Sequence, residues 1–435
     1  MTPLTWSALA PAERAAALAR PLRADDAALR ARVAEIIADV GTRGRAAVDM
    51  WAAELDGHRS TALKIDAAAV AAAEASVSAA DRAALAFAAA NVRRYHEAIR
   101  PADSAAIEVA SGAWVRREWR AIGSVGLYVP GGTAPLFSTL LHLAIPARIA
   151  GCPAITVVTP PQRGGGTHPM VVLAAHLAGI ERLWLVGGVQ AVAALTFGLD
   201  AADGQPALPR ADKIFGPGNA WVAEAKRQAA ELMGGPAIDL PAGPSELMVV
   251  ADASADPARV AADLLSQAEH DADAQVMLVA VGDGVAQRIA AEVAAQLAAL
   301  PRRALAEAAL ASSRTIVTSG REEALTVVNA YAAEHLSLHV REPEGWVKLI
   351  RSAGTVFAGA DSAETFGDYC SGPSHVLPTG GAARAWSGVS VQSFMTSFAV
   401  QWATAAGART LAAPAAALAR AEGLEAHARA AEARA

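Results

Sequence analysis

The chain has 435 residues, 53% of them hydrophobic, so it can bury a large core and is long for a single domain. Its formal net charge is -6, with 37 Lys and Arg scattered among 43 Asp and Glu, which leaves no basic stripe and excludes nucleic acid as an expected partner. Two cysteines, Cys152 and Cys370, lie far apart and outside any C-x-x-C pattern, which predicts a reducing, cytoplasmic setting without a disulfide framework.

In chain order, the N-terminal "MTPLTWSALAPAERAAALARPLRADD" lacks a basic segment followed by an apolar core, so no secretory signal is expected. The first hundred residues read as mostly helical and Ala-rich. Residues 121–147 hold no Asp, Glu, Lys or Arg, yet "YVPGGTAP" breaks any continuous helix there, which predicts a buried strand, loop and helix and no membrane span. From "AITVVTP" to "DKIFGPGNAWVAEAKRQAA", and again from "SELMVVAD" to "EEALTVVNAYAAEH", short β-rich runs alternate with helical segments. That alternation predicts an α/β chain with two parallel sheets covered by helices. "DAADGQPALPR" reads as a surface loop, and the last forty residues as helical.

The motifs are sparse. Gly282, Gly284 and Gln287 follow a strand and open a helix, but the third glycine of G-x-G-x-x-G and its distal acidic residue are missing, so the standard dinucleotide fingerprint is rejected. "GLYVPGG" at 126–132 and "IFGPGNA" at 214–220 each follow an apolar run. Their glycines allow close approach to a ligand, although ordinary tight turns use the same residues. "LLSQAEHDADAQ" places Gln267 and His270 three apart, one turn of helix, where they could grip one small object or simply be solvated. "AAEHLSLHV" sets Glu334 beside His335 at the end of a helical run, a candidate base and electrostatic partner or a plain helix terminus. "FGDYCSGPSHVLPT" carries Asp368 and His375 in a Gly/Pro-rich loop, and His427 reads as a solvent-facing residue of a terminal helix.

Taken together, "GLYVPGGTAPLFST", "KIFGPGNAWVAEAKRQ", "IDLPAGPSELMVVAD", "QAEHDADAQV", "AAEHLSL" and "GDYCSGPSHVLPTGGAAR" closely resemble the histidinol dehydrogenase family, in that family's order, from roughly residue 25 onwards. The resemblance implies a Zn2+- and NAD-dependent homodimer that oxidises L-histidinol to L-histidine through the aldehyde. It also implies two incomplete Rossmann-like domains without G-x-G-x-x-G and small helical elements at both ends. The implied division is 1–24 as an N-terminal helical segment, 25–122 with 247–388 as a first domain bearing the metal and catalytic residues, 123–246 as a second domain with the NAD loops, and 389–435 as a tail reaching the partner's site.

By motif position, the resemblance implies Gln267, His270, Asp368 and His427 as ligands of zinc, for which manganese or cobalt could substitute, and Glu334 and His335 as the catalytic pair. It implies Ser245, His375 and Glu422 as further substrate contacts, beside the ligands and His335, and Tyr128, Gln190 and Asn219 as NAD contacts. The same residues leave two rival readings: a relative that oxidises another small alcohol, and a non-catalytic metal-binding homologue, against which Glu334 and His335 both speak.

Overall fold

The computed structural model describes residues 3–20, 26–131, 135–202, 204–241 and 243–435. Gly132 of the 126–132 loop, Asp203 of the 200–210 insert, and residues 1–2 and 21–24 of the N-terminal segment lie outside them.

Two six-stranded sheets form the body. The first is parallel throughout, in the order Pro3–Thr5, Arg314–Thr318, Gln275–Val281, Glu246–Ala251, His335–His339, Thr355–Ala358. Its central strand Glu246–Ala251 is buried at every position, as expected of a parallel strand covered on both faces. The helix Pro257–Ala268 covers one face. Asp256 caps it by accepting the amide of Ala258, Pro257 sits where no amide is needed, and Val260, Ala261, Leu264, Leu265 and Ala268 form its apolar stripe.

The second sheet runs Thr61–Lys64, Arg182–Leu185, Ala154–Thr159, Ser124–Tyr128, Lys213–Phe215, Ala237–Ile238, and only the Thr61–Lys64 edge is antiparallel among these described strands. Both sheets therefore reverse their strand order beside a central strand, the doubly wound arrangement, without the glycine fingerprint. A third, small sheet pairs Met395–Ala403 antiparallel with Ala113–Ala121, which also pairs with Ile107–Ala110. Among the described residues no helix is long and apolar enough to cross a membrane.

Two expectations change. The helices between residues 27 and 98 pack on the second sheet, not with the sheet of 246–358: Val33, Ile36 and Trp51 meet Trp184 and Val192 on one face, and Leu85 and Val92 meet Val125 and Leu143 on the other. Apolar spacing marks which face of a helix is buried, not which sheet buries it. Both termini also contribute strands, because Pro3–Thr5 and Met395–Ala403 have open edges to pair with. The described residues of the 200–210 insert are the expected surface loop, held by Arg45, which donates to the carbonyls of Asp200 and Pro206, and by Gln205 Oε1, which accepts the amide of Ala62.

The N-terminal segment is tied to the first sheet by charge. Arg20 Nη2 donates to Glu246 Oε2 at 2.8 Å, and its guanidinium lies 3.9 Å from the Tyr331 ring centroid. Glu246 is buried, so removing its partner strands a carboxylate. Arg20→Ala is expected to cost about 3 kcal/mol, read as a lower urea midpoint at unchanged slope. A loss below about 0.5 kcal/mol would mean that the Gly380 amide, which also reaches Glu246, suffices.

Candidate active site

A cavity of about 530 Å³ opens where the two sheets meet. From the first sheet it takes the amino ends of strands: Ser245 precedes one, and Glu334 and His335 enter another. From the second it takes the segments beyond the carboxyl ends, above all the Gly216–Asn219 loop after Lys213–Phe215. The glycines there are needed sterically. Gly216 has φ +118°, and a Cβ on it would sit 2.0 Å from the Tyr128 carbonyl oxygen. Asn219 ends the loop as a helix cap, its Oδ1 accepting the amides of Trp221 and Val222, so the start of the helix Ala220–Glu231 faces the cavity with its amide dipoles.

His335 is the first residue of its strand. The preceding helix Arg321–Tyr331 stops at Ala332 in the left-handed region, so the expected position at a helix end is corrected: a buried strand, not a helix dipole, sets this imidazole. Its Nδ1 donates to the Glu246 carbonyl at 3.1 Å, and Nε2 is buried with no hydrogen-bond partner among the described residues, 3.6 Å from Asp368 Oδ1. Burial alone would lower the His335 pKa. The carboxylates of Glu334, Asp368 and Glu364 outweigh it and lift the ring well above the usual histidine range. Glu334 Oε2 accepts the Glu246 amide at 2.8 Å and lies 3.5 Å from His335 Nδ1. Burial raises its pKa despite that proximity.

Gln267 occupies the last turn of its helix and His270 the turn just beyond, joined by the His270 amide donating to the Gln267 carbonyl. The expected one-face pairing holds across the helix end instead of within it. Gln267 is 2% exposed, and its Oε1 is buried without a partner among the described residues. A buried acceptor left alone costs about 1–3 kcal/mol, which makes this oxygen a candidate ligand atom.

Sequence reasoning missed Glu364. It lies one helical turn before Asp368 on Glu364–Tyr369, and it forms with His335 and Asp368 a group whose ligand atoms all fall within 4.8 Å of one another. Burial, reinforced by Asp368 and Glu334, pushes its pKa up to about 7. Contact with His335 holds Asp368 below the usual carboxylate range against the opposing effect of burial. The signal available in the sequence was the four-residue spacing of the two acids, which a solvated helix face shares.

A histidinol dehydrogenase family model matches residues 19–435. The chain belongs to the histidinol dehydrogenase family. It is 48% identical over 427 residues to the histidinol dehydrogenase of Xanthomonas axonopodis pv. citri, covering 98% of this chain and 97% of that one. It is 42% identical over 428 residues to that of Salmonella typhi, covering 98% and 96%. The crystal structure of histidinol dehydrogenase from Elizabethkingia anophelis superposes with a TM-score of 0.92 at 40% identity, covering 98% of this chain and 96% of that one.

For a dehydrogenase of this family, the expected site residues fall into three places. Ser245, Gln267, His270, Glu334, His335, Asp368, His375 and Asn219 line the one cavity. His375 has both nitrogens engaged: Nδ1 donates to the Asp368 carbonyl and Nε2 accepts from the Thr139 hydroxyl, each at 2.9 Å, and desolvation holds its pKa low. It therefore braces Asp368, and a substrate bond to Nε2 would have to displace Thr139. Tyr128 and Gln190 are buried and do not line the cavity, Tyr128 accepting the Gly188 amide through its hydroxyl. Glu422 and His427 sit exposed on the tail, whose helices Ala405–Ala421 and Glu425–Glu432 pack on each other, and neither residue reaches this chain's own cavity.

Neither cysteine lines the cavity. Cys152 is buried against the Phe394 carbonyl, and burial pushes its thiol up to about 11. Cys152→Ser and Cys370→Ser are each expected to keep substantial activity on histidinol and on histidinal. A drop of about a thousandfold in aldehyde oxidation by either, with metal still bound, would instead indicate a thiohemiacetal.

Proposed function

We propose that this chain is a Zn2+- and NAD-dependent histidinol dehydrogenase that oxidises L-histidinol to L-histidine through L-histidinal at one site. The observation that carries the reading is the convergence of the partnerless Gln267 Oε1 and His335 Nε2 with His270 and Asp368 in the cavity that Asn219 faces from the opposite sheet.

The donors fit zinc. They are nitrogen and oxygen atoms without a thiolate, as in an open site with room for substrate. Gln267, His270 and Asp368 would hold the ion, with the partner's His427 completing the set. When bound, zinc would orient the nitrogens of histidinol while NAD accepts hydride. In the first oxidation the neutral form of His335 takes the hydroxyl proton at Nε2 as hydride leaves the carbinol carbon; an ion on Asp368 would withdraw one of the carboxylates that keep the ring charged, and the Glu246 carbonyl holds Nδ1–H, so that Nε2 is the nitrogen that gains the proton. In the second, Glu334 with His335 takes a proton from water as its oxygen adds to the aldehyde carbon. The hydrate then loses a second hydride and a proton, leaving the carboxylate. Keeping both oxidations in one cavity limits escape of the aldehyde.

A tail that carries His427 and Glu422 away from its own cavity, with Leu418, Leu424 and Trp402 exposed along it, supports a homodimer with shared sites. The test is NADH formation from L-histidinol beside other amino alcohols and diols, with two NADH expected per histidinol and loss of activity on chelation that zinc restores. Turnover of the diols alone would overturn the substrate assignment.

A further inference from the structure

The carboxyl edge of the second sheet carries a carboxylate that comes from outside the strand-and-helix repeat. Asp56 follows the helix Arg45–Leu55, and its Oδ2 accepts the Gly187 amide at 3.1 Å and Gln190 Nε2 at 3.0 Å. Gly187 and Gly188 lie just beyond Arg182–Leu185. A Cβ on Gly187 would sit 2.7 Å from Pro160 Cβ, just beyond Ala154–Thr159, and the Gly188 amide reaches the hydroxyl of Tyr128, the last residue of Ser124–Tyr128. The ends of three adjacent strands therefore meet at one polar node.

Two acceptors in this node are unused. Among the described residues Gln190 Oε1 is buried without a partner and no donor reaches Asp56 Oδ1. Asp56 itself is half-buried. In doubly wound sheets a nucleotide lies across the carboxyl ends beside the point where strand order reverses, and a carboxylate there receives the ribose hydroxyls. Here that point lies between Ser124–Tyr128 and Lys213–Phe215, next to the Asn219 loop, and no acidic residue directly follows Ala154–Thr159, where "PPQRGGG" runs. Asp56 supplies the missing group. The ionisable side chain nearby is His58, which acts on Asp56 electrostatically and whose Nε2 lies 3.0 Å from the Arg163 carbonyl.

We propose that Asp56 receives the adenosine ribose of the dinucleotide and rejects a 2′-phosphate, which makes the site selective for NAD over NADP. This rests on the cofactor reading above. Asp56→Asn isolates the charge, because one amide oxygen can still accept from Gly187 and Gln190 while the second position becomes a donor.

The experiment measures kcat/KM for NAD and for NADP with L-histidinol. The wild type is expected to prefer NAD by about a hundredfold or more, and Asp56→Asn to shrink that ratio at least about tenfold, losing efficiency with NAD and gaining it with NADP. A parallel fall with both cofactors at constant ratio overturns the proposal and leaves Asp56 as a support for Gln190. Failure of the wild type to reduce either dinucleotide overturns the cofactor reading itself, a different result. Should the variant not fold, the wild type still decides. Binding measured by titration calorimetry without turnover is expected to show that adenosine 5′-monophosphate binds and adenosine 2′,5′-bisphosphate does not, and equal binding overturns the proposal.

Discussion

His270→Asn and His427→Asn chains, each nearly inactive alone, are expected to recover about a quarter of wild-type activity when unfolded together in equal amounts and reassembled with zinc. The reason is where the structure puts the two histidines. His270 lines the cavity, whereas His427 lies on Glu425–Glu432, in a tail that extends from the small antiparallel sheet and leaves its own cavity untouched. If two copies exchange tails, a mixed dimer gathers both lesions into one site and leaves the other native. Random reassortment makes about half the dimers mixed, each with one good site of two, which gives the quarter by two-fold symmetry. NADH production is assayed beside each variant treated alone. Mixtures as inactive as their parents would mean that His427 serves its own subunit or binds no metal.

The second large effect separates neighbours in the chain. His335→Asn is expected to slow both half-reactions by about 10²–10⁴, since His335 takes the hydroxyl proton in the first and works with Glu334 on water in the second. Glu334→Gln should slow histidinal oxidation far more than histidinol oxidation, because only the aldehyde step needs water activated. The substitution preserves the local fold, since the amide oxygen can still accept the Glu246 amide that Glu334 Oε2 now takes. Single-turnover measurements started from each substrate distinguish the two steps. Glu364 is the control that the structure adds: its raised pKa makes it a competent acceptor near neutrality, and it shares the pocket with His335. If Glu364→Gln shows the aldehyde-selective loss and Glu334→Gln does not, the water-activating role moves to Glu364.

Some of this was present in the order of the residues. Alternating β-rich and helical runs announced two parallel sheets, and runs such as "ELMVVA" and "HLSLH" turned out to be strands buried at every position, because a strand covered on both faces has no polar side. The missing glycine fingerprint was readable too, since a motif of fixed spacing is a local property. So were the cavity residues from Ser245 to His375, through motifs whose order carried the family resemblance.

Tertiary structure decided the rest, for one physical reason: side-chain periodicity records that a face is buried but not what buries it. The sequence could not say that the helices between residues 27 and 98 cover the second sheet, or that the site takes the amino edge of one sheet and the carboxyl edge of the other. Glu364 and Asp56 remained invisible for the same reason. Each is an ordinary acid at the start or end of a helix until folding sets it beside His335 or beneath Gly187 and Gln190, where desolvation and a particular partner change what its carboxylate can do.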